Sequence, residues 1–157
     1  MTGKTIVIGI GNPDRGDDAV GLEVARRVAD KAHHVHVVEL NYPADALNAW
    51  TTDDTVVITD AVNSGGDPGH VHVIDVLERK LPAGNWSAGG THALGLAAVL
   101  ELARALGRLP KKLVVVGVEA RRFDLGAPIT EAVAAAVPAA AAAVLAAIGG
   151  RDRKRKR

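Results

Sequence analysis

The sequence predicts an α/β protein, a mostly parallel sheet covered on both faces by helices. Short β-branched runs alternate with longer helical patterns, and those runs are near-continuously apolar, as strands buried on both faces must be. At 157 residues the chain is the size of one domain and long enough to bury a core, and no linker or repeat divides it. The domain reads as residues 1–150, followed by a basic tail, 151–157.

In chain order, Thr5–Ile10 reads as the first strand. Asp18–Lys31 follows as a helix, with Val20, Val24 and Val28 on one face at the spacing of a buried stripe. Val35–Leu40 is the second strand, Ala44–Trp50 a short helix and Thr55–Thr59 the third strand. The stretch "NSGGDPG", Asn63–Gly69, is a turn with no room for a helix, so the next strand, His70–Ile74, should run antiparallel to the one before it. A Gly-rich loop, "LPAGNWSAGGT" at Leu81–Thr91, has no periodicity and is a place for substrate contacts. His92–Leu106 reads as a helix, Leu113–Val118 as the fifth strand and Ile129–Ile148 as the last helix. That last segment is apolar enough to raise the question of a membrane, but Glu131 opens it and Pro138 interrupts it, which favours a soluble helix.

Composition excludes several classes of function. Aromatic residues make up 3% of the chain, so a surface that stacks nucleic-acid bases is not expected. Cysteine is absent, which removes disulfides, thiolate metal sites and a cysteine nucleophile together, and leaves oxygen and imidazole as metal ligands. The formal charge of +1 hides a division. The tail "RDRKRKR" holds six basic residues and one acid, leaving the body mildly acidic, at about −4. Neither a nucleic-acid partner nor a membrane is expected, and the tail reads as a solvated, disordered run. The N-terminus lacks the apolar segment of a signal peptide, so the cytoplasm is the expected compartment.

The chemistry concentrates in "GIGNPDRGDDAVG", residues 9–21. It sits between a strand and a helix, where a dinucleotide fingerprint would lie. Gly9 and Gly11 fit G-x-G-x-x-G, but position 14 is aspartate and the next glycine is Gly16. Asp14, Asp17 and Asp18 would repel a pyrophosphate. One of Asp17 and Asp18 has a ready role as cap of the first helix. The other is then left at a helix N-terminus as an anionic oxygen for a cation, and on these residues alone capping and metal ligation both stay open.

Asp60 closes the apolar run "TVVITDA", at the carboxyl end of a strand, where open α/β sheets bind ligands. Loop capping is the competing explanation, and the D-T/S-G context of an aspartic-protease dyad is missing. His92 opens a helix after the flexible loop, free to aim into the crevice. Two carboxylates and one imidazole would suit a first-row divalent ion. The pairs His34/His36 and His70/His72 each share a strand face and read as lining it. Ser64 and Ser87 are the only serines, neither in G-x-S-x-G, and no H-E-x-x-H occurs, so a serine hydrolase and a zinc-protease helix are both excluded.

Together with "ITDAV" at 58–62, "THALGLAAVL" at 91–100 and "VVVGVEA" at 114–120, the opening motif resembles the hydrogenase maturation endopeptidases. The resemblance covers nearly the whole chain, to about Ile148. It implies a three-layer αβα fold with a small, mostly parallel five-stranded sheet containing one antiparallel strand. It also implies removal of the C-terminal extension of a [NiFe]-hydrogenase large-subunit precursor once nickel is inserted. Matched residue by residue, the family's acid, acid and histidine fall on Asp18, Asp60 and His92. These are the expected metal ligands, with Asp18 or Asp60 as catalytic base. The nickel is expected to arrive bound to the precursor, and the protein to act as a monomer.

The chain departs from the family pattern twice. "ELNYPADAL" at 39–47 replaces a D-G-G-T-like segment, implying a different hydrogenase class as substrate, and Ala120 stands where proline is frequent. Glu119, ending a strand, is a further candidate to face the site. Two rival readings remain: a small-molecule or nucleotide-binding module without peptidase activity, and a chaperone that inspects nickel loading without cutting.

Overall fold

The computed structural model describes residues 3–82, 86 and 95–155, with side chains up to residue 149. Five strands form one sheet: β1 (Thr5–Ile10), β2 (His36–Leu40), β3 (Thr55–Val62), β4 (Val71–Asp75) and β5 (Lys112–Glu119). Their spatial order is β2-β1-β3-β5-β4, with all pairs parallel except β4 against β5. Helices α1 (Val20–Lys31) and α3 (Glu131–Arg155) cover one face. Helix α2 (Leu96–Ala105) and a 3₁₀ segment, Pro43–Asn48, cover the other. The expected three-layer α/β architecture is the observed one.

Each layer follows from side-chain periodicity. Along β3, Val57 and Ala61 face α1 and α3, whereas Val56, Ile58 and Val62 face the α2 side. In α3 the buried residues are Val133, Ala136, Val137, Ala140, Ala141 and Val144, a stripe at helical spacing laid on the sheet. Glu131–Gly149 is long and apolar enough to cross a membrane by composition alone. Its alanine-rich outer side is simply the solvent side of this layer. Pro138 lies on that exposed side and α3 runs through it without a break.

The sheet order differs from the sequence reading at one point. β4 runs antiparallel as expected, but its neighbour is β5, which inserts between β3 and β4. β5 is apolar on both sides and gains two neighbours this way, leaving the half-exposed β4 at the edge. The seven residues from Asn63 to Gly69 span the two strand spacings, about 10 Å, that this requires. β3 is also longer than expected. Pairing with β5 continues to Val62↔Glu119, so Asp60 lies within the strand rather than closing it. The helix expected at Ala44–Trp50 is the 3₁₀ segment, and α1 starts at Val20 after a separate 3₁₀ turn, Gly16–Ala19.

The switch in connection direction falls between β1 and β3, where α/β sheets open their ligand crevice. Helix α1 is drawn against this point by Gly21. A Cβ there would lie 2.6 Å from the Thr59 carbonyl oxygen, 3.1 Å from Asp60 Cα, and closer still to the Ile10 oxygen. Gly9 faces it from β1, where a Cβ would stand 2.7 Å from that of Ala25. Alanine at position 21 would gain up to about 1 kcal/mol of helix propensity, but the clash is with backbone and costs about 3 kcal/mol. Gly21→Ala should therefore lose about 2 kcal/mol net in urea unfolding. Unchanged stability would show that the helix does not sit this close.

Candidate active site

The two adjacent aspartates of the opening motif have opposite environments. Asp17 is completely buried. Its Oδ2 accepts the backbone N–H groups of Arg121 and Arg122 at 2.9 and 3.0 Å, and its Oδ1 accepts the Thr130 N–H at 2.7 Å. The Thr130 hydroxyl lies 2.9 Å from Oδ1 and 3.0 Å from Oδ2. Burial pushes this carboxyl up, but the three N–H groups and the hydroxyl outweigh it, and its pKa falls below the ordinary value of 3.8. Asp17 thereby ties the 3₁₀ turn after β1 to the segment leaving β5 and to the residue preceding α3. Backbone bonds from Gly16 to Ala127, Asp17 to Arg122 and Gly126 to Asp14 close the same seam.

Among the described residues Asp18 has one donor, the Asn12 N–H, at 2.9 Å from Oδ2. Burial pushes its pKa up, against the opposing pull of that N–H and the Arg15 guanidinium. The side chain borders a cavity of about 390 Å³ also lined by Asp14, Arg15, Asn41 and Tyr42. Neither aspartate makes a side-chain cap to the helix, so the capping reading fails for both. The chain enters α1 through a 3₁₀ turn, and the two carboxylates are engaged elsewhere.

Asp60 is buried on β3, on the α2 side of the sheet, where its Oδ1 accepts the Ala61 N–H at 2.8 Å. It is outside the lining of the Asp18 cavity, one strand over, and the start of α1 at Gly21 packs against its backbone. His92 lies outside the described residues. Among the described residues no three acidic or imidazole side chains converge as a metal cluster. This holds for His34/His36 as well as His70/His72, whose rings meet edge-on at 4.7 Å.

A second buried acid, Glu119, lies on the same sheet face as Asp60, fully buried at the end of β5. It accepts the Ser64 N–H at 3.3 Å, the Ser64 hydroxyl, and His72 Nε2 at 3.0 Å. Sequence reasoning considered all three residues without connecting them. The available signal was a lone acid ending the apolar run "KLVVVGVE", as Asp60 interrupts "TVVITDAV".

A cavity bordered by a buried carboxylate beside the switch point, in a chain without cysteine, is the candidate site of an α/β enzyme. The sequence model of the hydrogenase maturation protease family matches residues 19–147, and the chain belongs to that family. It is an endopeptidase of this kind. The chain is 29% identical over 150 residues to the hydrogenase 2 maturation protease of Escherichia coli (strain K12), covering 92% of this chain and 90% of that protein. Its fold matches the solution structure of an endopeptidase from Escherichia coli with a TM-score of 0.78 and 25% identity, over 94% and 93% of the two chains. It also matches the [NiFe] hydrogenase maturation protease HybD from Thermococcus kodakarensis, with a TM-score of 0.65 and 27% identity over 89% and 95%.

The two aspartates should separate under replacement by asparagine. Asp17→Asn sets an amide NH₂ against N–H donors and should cost about 3 kcal/mol. Because the native pKa of Asp17 is lowered, its contribution is complete above the unfolded value near 3.8 and lost as pH falls from there through the native value. Asp18 has the opposite sign: its raised native pKa opposes folding at neutral pH and ceases to do so below 3.8. Asp18→Asn should therefore be as stable as wild type or more so at pH 7, with any gain vanishing in acid. Urea titrations across pH check both; equal losses in the two variants would contradict the assignment.

Proposed function

We propose that this endopeptidase removes the C-terminal extension of a [NiFe]-hydrogenase large-subunit precursor, and that it recognises the precursor through the nickel already bound there. The observation that carries the reading is Asp18, a buried carboxylate at the crevice with one donor among the described residues and its negative form disfavoured by burial. Such a group gains from meeting a cation, because the cation restores what desolvation removed. Asp60 supplies a second oxygen ligand from β3, and His92, carried by the chain between β4 and α2, a third ligand. The nickel is cargo of the substrate, consistent with a chain that has no thiolate of its own.

In the hydrolytic step one of the two carboxylates takes a proton from water as its oxygen attacks the scissile carbonyl carbon. The C–N bond then breaks and the departing amine takes up that proton. The protein acts in the cytoplasm as a monomer. The acidity of the Asp18 cavity, with Asp14 beside it, weighs against the nucleotide-binding alternative.

The test is the intact mass of a nickel-loaded large-subunit precursor before and after incubation, beside a nickel-free control. Loss of a C-terminal fragment from the loaded form alone is the expected result. Asp18→Asn and Asp60→Asn should each lower the rate by about 100-fold or more with unchanged circular dichroism. Binding without any change of mass would favour the nickel-inspecting chaperone instead.

A further inference from the structure

At the far side of the sheet from the Asp18 cavity is a second pocket, of about 520 Å³, bordered by every residue from His70 to Ile74 together with Ser64, Arg79 and Trp86. Successive side chains of a strand point to opposite faces. A pocket that touches five consecutive residues therefore runs along the strand's edge, and β4 is the terminal strand of the sheet. The hydrogen bonds Glu119 N–H to His70 oxygen and Val76 N–H to Leu113 oxygen assign the even-numbered residues of β4 to the β5 ladder. Val71 and Val73 consequently direct their backbone N–H and C=O groups outward, into the pocket. Val73 is 50% exposed.

The geometry points to this edge as the subsite for the C-terminal extension of the substrate, bound as an added strand parallel to β4 with its carboxylate end near Arg79. This inference rests on the endopeptidase reading above and deepens it. An edge strand whose outward backbone groups have no partner among the described residues is a template for an extended peptide. The charge selects an anionic one. No ion pair among the described residues includes Arg79. His70 and His72 line the same pocket, and the acid beneath it, Glu119, is engaged with Ser64 and His72.

The subsite lies within reach of the crevice. Asp60 pairs with Gly117, and Gly117 with His72, so the pocket begins two strand spacings, about 10 Å, from Asp60. Three residues of extended peptide cover that distance. Glu119 holds the wall in place, since it fixes His72 and the turn at Ser64 from beneath. A substrate crossing the exit edge of the sheet would thus meet carboxylates at its nickel-bearing end and a guanidinium at its free end.

The experiment uses wild type, Val73→Pro and Arg79→Gln. Proline at position 73 removes one outward N–H without touching the β5 ladder, as edge strands tolerate, and thermal melting checks that the fold persists. Processing of the nickel-loaded precursor gives KM and kcat. Binding of a fluorescein-labelled synthetic peptide with the sequence of the released extension, as free acid and as C-terminal amide, is read by anisotropy. Val73→Pro should raise both KM and the peptide Kd about tenfold at unchanged kcat. The free acid should bind wild type about tenfold more tightly than the amide, a preference that disappears in Arg79→Gln. Unchanged KM and equal binding of acid and amide in a processing-competent enzyme would overturn the subsite. If wild type does not process the precursor but peptide binding still depends on Val73 and Arg79, the endopeptidase reading falls and the subsite stands.

Discussion

The structure depends on one buried carboxylate saturated with donors. Asp17 collects three backbone N–H groups and a hydroxyl from residues more than a hundred positions away in the chain. No apolar residue could replace it, because those donors would then be buried without partners. The clamp sets where the segment leaving β5 crosses the opening loop and where α3 begins. It also fixes the orientation of its neighbour. With Asp17 held inward, Asp18 is carried to the cavity with a single donor among the described residues. A rigid acid thus positions its neighbour, the arrangement that the proposed role of Asp18 as a ligand-facing group needs.

The same economy governs the sheet. Parallel strands β2, β1, β3 and β5 all deliver their carboxyl ends to one edge, and the antiparallel β4 brings its beginning to that edge too. Side chains along this edge change character from the acids of the opening loop, through Asp60 and the buried Glu119, to His70 and His72. Glycine at 21 and at 117 keeps the surface close-packed: the first admits α1 to the switch point, and the second leaves room for Val62 and Trp86 over β5. In the proposed mechanism this surface orients a peptide and a carboxylate accepts the proton, so that no nucleophile of the protein's own is required.

Much of this could be read in the sequence. Five strands, three main helices, the antiparallel direction of β4 and the three-layer architecture were legible because they rest on local periodicity and turn composition. The positions of Asp18 and Asp60 were legible as exceptions: acids where a phosphate loop or an apolar strand leads one to expect none. What distinguished Asp17 from Asp18 was not legible, because the deciding donors at Arg121, Arg122 and Thr130 are distant in sequence. Helix capping, the local explanation, is absent for both. The insertion of β5 between β3 and β4 was hidden for the same reason, since strand neighbours are chosen by burial and not by chain order. Glu119, Ser64 and His72 looked unrelated until that insertion placed β5 against β4 and brought them within hydrogen-bonding distance.

The most direct test of the account follows the side-chain carboxyl carbons of Asp17 and Asp18 by NMR as the pH is lowered. Two neighbouring aspartates should titrate on opposite sides of the ordinary value of 3.8, Asp17 below it and Asp18 above it. Titration of both at one pH, or in the reverse order, would contradict the division between a structural acid and a ligand-facing one.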